Sequence, residues 1–456
     1  MKWAGLFLLI NAAPAVAQHG EHHERPSGMQ HDTMMHRHPV MTDVLGIPMA
    51  RQGSGTSWVP DSTPMYMQHA RFGRWDVMLH GNVFLQYINE GSDRGDSQFG
   101  SINWLMGMAM RRVGDGRLML RAMLSAERWT VGECGYPDLL ATGETCDGRR
   151  LHDRQHPHDL FMELAGWYHR ALNDDVAIEL YGGPAAEPAL GPTAYPHRVS
   201  AFPIPLAPIT HHWLDATHIT FGNITAGVFG RQWKVEGSLF NGREPDEDRA
   251  DINLASLSSY SARVSFLPSP LWSLQVSAGQ LNHAEASDEP GHDRVDVTRY
   301  TASAMYNRPV GRRAFLATTL AFGHDVEHGI GTSAVLAEAS LNLKDRHVMA
   351  GRFEWVEKTG ENLGLDDEAV EDDIFRLAKA GVTYTYQIAS ILGWTPGLGV
   401  GGSISFIPED LEPVYGEQQA FGFIAFVSLR PERMRMHMPA MPMPSGGEHM
   451  RHNRPR

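Results

Sequence analysis

The feature that most constrains this chain is a hydrophobic period of two that recurs from about residue 73 to residue 430. Between 74 and 89, Trp75, Val77, Leu79, Val83, Leu85 and Tyr87 share one face, whereas Asp76, Met78, His80, Asn82 and Gln86 share the other. Successive side chains of a strand point to opposite sides, so this alternation reads as a strand with one apolar and one polar face. The pattern returns in Tyr260, Ala262, Val264 and Phe266 against Ser259, Ser261, Arg263 and Ser265, and again in Trp272, Leu274, Val276 and Ala278. Sixteen such runs are expected, at 74–89, 101–113, 117–130, 158–171, 175–183, 217–229, 233–241, 256–267, 271–282, 298–308, 313–323, 333–343, 347–357, 375–388, 396–407 and 418–430. Every second connection is short, as at Gly114-Asp115-Gly116 and Lys344-Asp345-Arg346, and the others are long. Short turns on one side, long loops on the other and aromatics at the ends of the apolar face describe strands that cross a bacterial outer membrane. The expected fold class is all-β: a transmembrane antiparallel up-and-down β-barrel of about 16 strands (14–18), with disordered periplasmic tails.

Charge and composition narrow the function. A net charge of −14 gives no reason to bind nucleic acid. After the leader no run of 18 apolar residues occurs, so a membrane-spanning helix is not expected. Residues 1–17 read as a signal peptide: Lys2, the apolar stretch Ala4 to Ile10, then Ala15-Val16-Ala17. An 18–72 segment rich in His and Met, expected to be disordered in the periplasm, precedes the 73–430 barrel, and a Met/His-rich 431–456 tail follows it. Export places Cys134 and Cys146 in an oxidising compartment, where the two are expected to pair; the link is worth about 3 kcal/mol for a loop of that size. Lys234, Glu236, Arg263, Glu338, Arg352 and Glu354 fall on polar faces, which a wet or plugged lumen tolerates and a dry core does not. The loop from Gly183 to about Ala216 combines seven prolines with Phe202, Ile204, Leu206 and Ile209, and is expected to fold into the barrel mouth as a constriction or plug.

Among the 23 Met and 24 His, dense mixed groups stand near both ends. The head carries His19, His22, His23, His31, Met34, Met35, His36 and His38; the tail carries Met434, Met436, His437, Met438, Met441 and Met443. A methionine in a polar tail has nothing to pack against, and thioether with imidazole suits Cu(I) and Ag(I). These residues are candidate metal ligands, with copper the expected ion, bound reversibly, and with no organic cofactor. A second candidate group is a rim site of His156, His158, Asp159, His211, His212, Asp215 and His218, if the fourth and sixth strands bring them together. Rim histidines bonded to loop backbone are the plainer explanation of that group. No serine lies in a G-x-S-x-G context and no phosphate-binding glycine loop follows a strand, so an enzyme is not expected.

The head, from Met29 through Met34-Met35-His36-Arg37-His38, resembles the Met/His-rich extension of bacterial copper resistance protein B, over about 30 residues. The barrel body, with Glu187 to Pro192 and Asn241 to Glu247, looks like a family of uncharacterised proteobacterial outer-membrane β-barrel proteins. The resemblance implies copper binding, efflux or resistance at the bacterial cell outer membrane. Its implied surroundings are lipid and lipopolysaccharide, metal ions and periplasmic metal-handling proteins. A small-solute porin with incidental tails is the first alternative, and an outer-membrane lipid hydrolase the second.

Overall fold

The computed structural model describes residues 41–285, 294–311, 313–365 and 369–434. Its strands are β1 (Met67–Phe72), β2 (Trp75–Glu90), β3 (Ser97–Val113), β4 (Gly116–Leu124), β5 (Tyr136–Cys146), β6 (Arg149–Gln155), β7 (Phe161–Ala171), β8 (Ala177–Ala185), β9 (Asn223–Phe229) and β10 (Trp233–Phe240). They continue as β11 (Ser259–Ser269), β12 (Trp272–Glu285), β13 (Val295–Pro309), β14 (Ala314–Glu327), β15 (Ile330–Leu343), β16 (His347–Thr359), β17 (Ile374–Gln387), β18 (Trp394–Phe406) and β19 (Gln419–Pro431). Two short helical turns matter below: α1 (Glu127–Thr130) and α2 (His211–Leu214).

Sixteen strands, β2–β4, β7–β10 and β11–β19, pair antiparallel with their chain neighbours and close into a cylinder. Closure comes where β19 meets β2, from Gly422 opposite Glu90 to Leu429 opposite Val83. Hydrocarbon offers no water to unpaired N–H and C=O groups, so only a closed ladder of this kind, or a helix, can cross it. β1 turns back on the start of β2, with Met67 opposite His80 and Phe72 opposite Trp75, and the Tyr66–Arg433 bridge carries the seam on. All sixteen predicted runs lie on these strands. Two were drawn too long by six residues: the run at 117–130 stops at Leu124, with Glu127–Thr130 turning into α1, and the run at 217–229 begins as a strand only at Asn223.

The faces are inverted relative to a water-soluble protein. Along β11, Tyr260, Val264 and Phe266 are 57%, 45% and 45% exposed, while Arg263 between them is 1% exposed. The apolar face therefore meets lipid and the charged face meets the lumen. Trp233 and Trp272, beside short turns, and Tyr260 and Tyr300, further along, are exposed on that outer surface, as amphipathic rings at the membrane interfaces are. The chain is an outer-membrane barrel, with short turns on the periplasmic side.

The lumen is filled by the chain itself, in three layers. The lowest is the segment 41–65, whose Leu45, Ile47, Arg51, Ser54, Thr56, Ser57, Trp58 and Val59 are buried. Wall residues hold its backbone: Arg121 Nη1 donates to the Gly55 carbonyl at 2.7 Å, Ser273 Oγ to that of Trp58 at 2.7 Å, and Lys234 Nζ to that of Thr56. Its serine amide Ser62 N–H bonds the Pro270 carbonyl, in a short turn, which fixes this layer at the periplasmic end. The expectation that all of 18–72 lies in the periplasm without structure is corrected for residues 41–72. Small and polar side chains cannot form a core alone, but here the wall donates to their carbonyls.

The middle layer is the proline-rich loop between β8 and β9, which folds inward as expected and is buried along nearly its whole length. Gly191 lets it turn, with φ at 83°; a Cβ there would lie 2.1 Å from the Leu214 carbonyl oxygen. Arg198, wholly buried, ties the loop to itself and to the wall: Nη1 meets Asp215 Oδ2 of the same loop at 2.5 Å, and Nε meets Glu338 Oε2 of β15 at 3.0 Å, while Arg352 holds the other Glu338 oxygen at 3.0 Å. The loop also shares Ser57–Thr193 and Ser54–Ala194 hydrogen bonds with the layer below. The third layer is the hairpin β5–β6, in the second long loop, which carries the expected Cys134–Cys146 disulfide. It lies over the outer mouth, where Lys379 Nζ bridges Asp138 at 2.8 Å and Glu90 at 3.0 Å, and Lys358 Nζ donates to the Leu140 carbonyl.

Replacing Arg198 with Met strips Asp215 of its guanidinium and leaves Glu338 with one cation fewer. Breaking a buried pair from one side costs about 3–5 kcal/mol. The inward loop is expected to become cleavable by protease between 186 and 221 while the cylinder persists, read by limited proteolysis and by the mobility of unheated protein on a denaturing gel.

Candidate functional site

Above the Arg198 pin, the inward loop and the strand that enters β7 bring the predicted rim histidines together, buried inside the lumen. His156, His158 and Asp159 come from the link between β6 and β7; His211 and His212 open α2, with Asp215 and His218 just beyond. The His158 and His218 ring centres are 5.4 Å apart, those of His211 and His218 are 5.2 Å apart, and those of His156 and His212 are 6.1 Å apart.

Three of the rings, His158, His211 and His218, are oriented by an acceptor. His158 Nδ1 donates to Glu127 Oε2 on α1 at 2.9 Å, and its other nitrogen lies 3.1 Å from the Tyr195 hydroxyl. His211 Nδ1 donates to Asp215 Oδ1 at 2.7 Å, and His218 Nδ1 donates to the Asp215 carbonyl at 2.8 Å. A histidine that gives one N–H to a carboxylate or carbonyl presents its other nitrogen as a defined acceptor, the arrangement found around metal ligands. Asp159 is held otherwise, 3.5 Å from Arg249, which also pairs with Glu144.

The electrostatics separate these groups. Burial lowers His156, His212 and His218 well below the usual histidine value, so they are neutral. Burial also acts on His158, but Glu127 outweighs it and raises the ring. Burial opposes ionisation of Asp215, yet Arg198 and His211 overcome it and keep the carboxylate far below its usual range. Asp159 is pushed up to about 7 by burial, against the pull of Arg249 and with the push of Glu144.

One set of donors converges further. His212, Glu244 from the loop after β10 and Glu285 at the end of β12 place ligand atoms within 4.8 Å of one another. His212 is 8% exposed; its Nδ1 lies 3.7 Å from Glu244 Oε1, and its Nε2 has no hydrogen-bond partner. Glu244 is raised well above its usual value by burial and by the neighbouring Glu285 and Glu144 carboxylates. A divalent cation would relieve that repulsion, and one imidazole with two carboxylates suits Zn(II), Cu(II) or Ni(II). The other convergent group among the described residues joins Asp147 to the two cysteines, whose sulfurs are already bonded to each other.

The sequence reading did not name Glu127, Tyr195, Arg198, Glu244 or Glu285. The one signal for them was Arg198, the lone guanidinium in the proline-rich loop. Of the expected tail ligands, His19, His22, His23, His31, Met34, Met35, His36 and His38 lie outside the described residues, as do Met436, His437, Met438, Met441 and Met443. Met434 is described, and its N–H donates to the Met65 carbonyl at 2.8 Å.

No protein-family model matches the chain, and no curated protein matches it. Among solved structures, the anion-selective porin from Comamonas acidovorans is similar with a TM-score of 0.46 and 12% identity, over 78% of this chain and 99% of that one. OmpF of Salmonella typhi, in complex with daunomycin, gives 0.46 and 10% over 80% and 100%. OmpT of Vibrio cholerae gives 0.42 and 10% over 80% and 100%. Likeness at this level says nothing about activity.

Because Glu244 holds its proton to unusually high pH, a cation binding beside it must displace that proton. Zn(II) affinity of the purified barrel is expected to rise with pH across neutrality, by up to about tenfold per unit for one displaced proton. Glu244→Gln is expected to remove both the binding and the pH slope, measured by competition with a chromogenic chelator.

Proposed function

We propose that this chain is an outer-membrane channel for small solutes whose lumen is closed at rest by its own inward segments. The observation that carries the reading is the kind of contact that fills the cylinder. A barrel of about 16 strands encloses an aqueous bore when nothing is folded into it. Here the filling is segmental and largely polar in its links to the wall: the 41–65 layer accepts hydrogen bonds from Arg121, Lys234, Arg263, Ser273 and Asn307, and the middle loop is held by Arg198 to Glu338, with small apolar clusters such as Leu45, Ile47 and Trp58 against Phe229 beside them. Polar contacts can be exchanged for water, unlike an apolar core. Charged wall residues lie on either side of the partition, Lys234, Glu236 and Arg263 towards the periplasm and Glu90, Arg352, Glu354 and Lys379 on the outer side, where they line a cavity with Asp138 of the hairpin. Displacing the two lower layers would join these spaces into a charged passage.

A second reading, handling of copper or another transition metal, is favoured by the His212, Glu244 and Glu285 set and by the donor-rich ends of the sequence. In that reading the tails gather the ion at the periplasmic mouth, in exchange with periplasmic metal-handling proteins, and the barrel passes or stores it. Catalysis is not part of either reading. A lipid hydrolase would need a serine bonded to a histidine; Ser333 Oγ lies 3.0 Å from His324 Nδ1, whereas Ser200 Oγ bonds Thr319 Oγ1 at 2.7 Å and Glu338 Oε2 at 3.2 Å.

In planar bilayers the complete protein is expected to be silent or to open rarely. A variant lacking residues 41–65, with the leader kept, is expected to conduct steadily and to admit small sugars in liposome swelling. A folded variant that conducts no better than the parent would contradict the reading.

A further inference from the structure

The periplasmic part of the lumen holds a donor set of a different kind. On β2, β3 and β4 all six methionines, Met78, Met106, Met108, Met110, Met119 and Met123, face the lumen, whereas all six leucines, Leu79, Leu85, Leu105, Leu118, Leu120 and Leu124, fall on the lipid face. Leucine and methionine fill nearly the same volume and exchange readily in cores, so packing alone does not ask for this sorting. Methionine does adapt to irregular gaps, but register adds a second regularity. Met78 stands opposite Met108, His80 opposite Met106 and Met67, Met106 opposite Met123, and Met110 opposite Met119. Side chains opposite one another on one face of a sheet start about 5 Å apart, within reach of one ion.

These residues border a cavity of about 80 Å³ between the wall and the 41–65 layer. Seven methionines line it: Met49 and Met65 from the inner layer, Met67 from β1, and Met78, Met106, Met108 and Met119 from the wall. Two histidines join them, His80 from β2 and His197 from the inward loop, with ring centres 5.8 Å apart. His80 Nδ1 donates to the Tyr66 carbonyl at 2.5 Å, which leaves Nε2 as the ring atom with the lone pair. Among the described residues, no carboxylate and no thiol lines the space. Its one charged group, Arg121, is neutralised by Glu163, 2.7 Å away. A lining of neutral sulfur and nitrogen donors offers little to a hard divalent ion and suits a soft monovalent one.

We propose that this cavity is a binding site for a soft monovalent cation, Cu(I) or Ag(I), held by thioethers of β2–β4 with His80 or His197. The site lies inside the barrel and is distinct from the His212, Glu244 and Glu285 set; of the tail residues described, Met434 bonds the carbonyl of Met65 at the cavity's edge. It deepens the metal reading above and rests on it for the class of ion. Thioethers need no deprotonation, so binding here is nearly independent of pH, unlike binding at Glu244.

The test is titration of the complete protein in detergent with Ag(I), which is free of redox side reactions, against a variant carrying Met78→Leu, Met106→Leu, Met108→Leu and Met119→Leu. Both proteins keep their tails, so ions held there cancel. The variant is expected to bind one equivalent less than the parent, with unchanged heat-resistant mobility on the gel. Equal stoichiometry and affinity in a folded variant would overturn the lumenal site, and no binding by either protein would overturn the metal reading with it. Should the fourfold variant fail to assemble, Met78→Leu with Met108→Leu removes one facing pair; the expected result is weaker binding of the last equivalent, and an unchanged isotherm would overturn the proposal.

Discussion

A cylinder of sixteen strands encloses more space than its own side chains can fill, so its interior must hold either water or additional chain. Everything distinctive in this protein follows from the second choice. Two segments that would otherwise extend from the ends of strands fold inward, and a disulfide-linked hairpin lies over the outer opening. Because the cylinder wall presents Arg121, Lys234, Arg263, Arg352 and Lys379 to the interior, the inward chain is held through its carbonyls, hydroxyls and carboxylates as well as by apolar contacts such as those of Leu45, Ile47 and Trp58 with Phe229 and of Leu214 with Leu336. Buried ion pairs are a poor source of net stability, since desolvation offsets much of their attraction. They are well suited to holding a segment in one place while leaving it displaceable.

The barrel was legible in the sequence because lipid imposes a strict rule on every second residue. Tyr260, Val264 and Phe266 had to be apolar, and the alternation they create located each strand of the cylinder. Lumen charges such as Lys234, Glu236 and Glu338 were readable for the same reason, as the off-beats of that rule. Their partners were not. Glu338 is matched by Arg198 from a loop 140 residues away in sequence, and nothing local in either segment encodes that pairing. The β5–β6 hairpin escaped notice because it has no lipid face: most of Tyr136–Cys146 is buried on both sides, so the period of two disappears. Residues 41–65 misled in the opposite way, since Gly53, Ser54, Gly55, Thr56 and Ser57 read as unstructured until the wall supplies their hydrogen-bond donors. The rim histidines were found by type and spacing, but their depth inside the lumen came from the inward fold of the loop.

The partition at Arg198 also divides two kinds of donor chemistry. On the outer side, His212, Glu244 and Glu285 offer nitrogen and oxygen, with a proton that a metal must displace. On the periplasmic side, thioethers and His80 offer soft, neutral donors. A soft ion and a borderline divalent ion would thus be sorted to opposite sides of one plug, with no common ligand between them. In the proposed channel the same plug would govern conduction, so its position links the channel reading to the metal reading.

The central claim is that the loop between β8 and β9 crosses the lumen and rests on the wall in the living cell. Ser200 Oγ and Thr319 Oγ1, on loop and wall, are 2.7 Å apart. Paired Ser200→Cys and Thr319→Cys substitutions should therefore link spontaneously during export, visible as a thiol pair protected from maleimide until reduced. Free thiols at both positions, in a barrel that is otherwise folded, would show that the loop lies elsewhere and that the lumen is not divided as described.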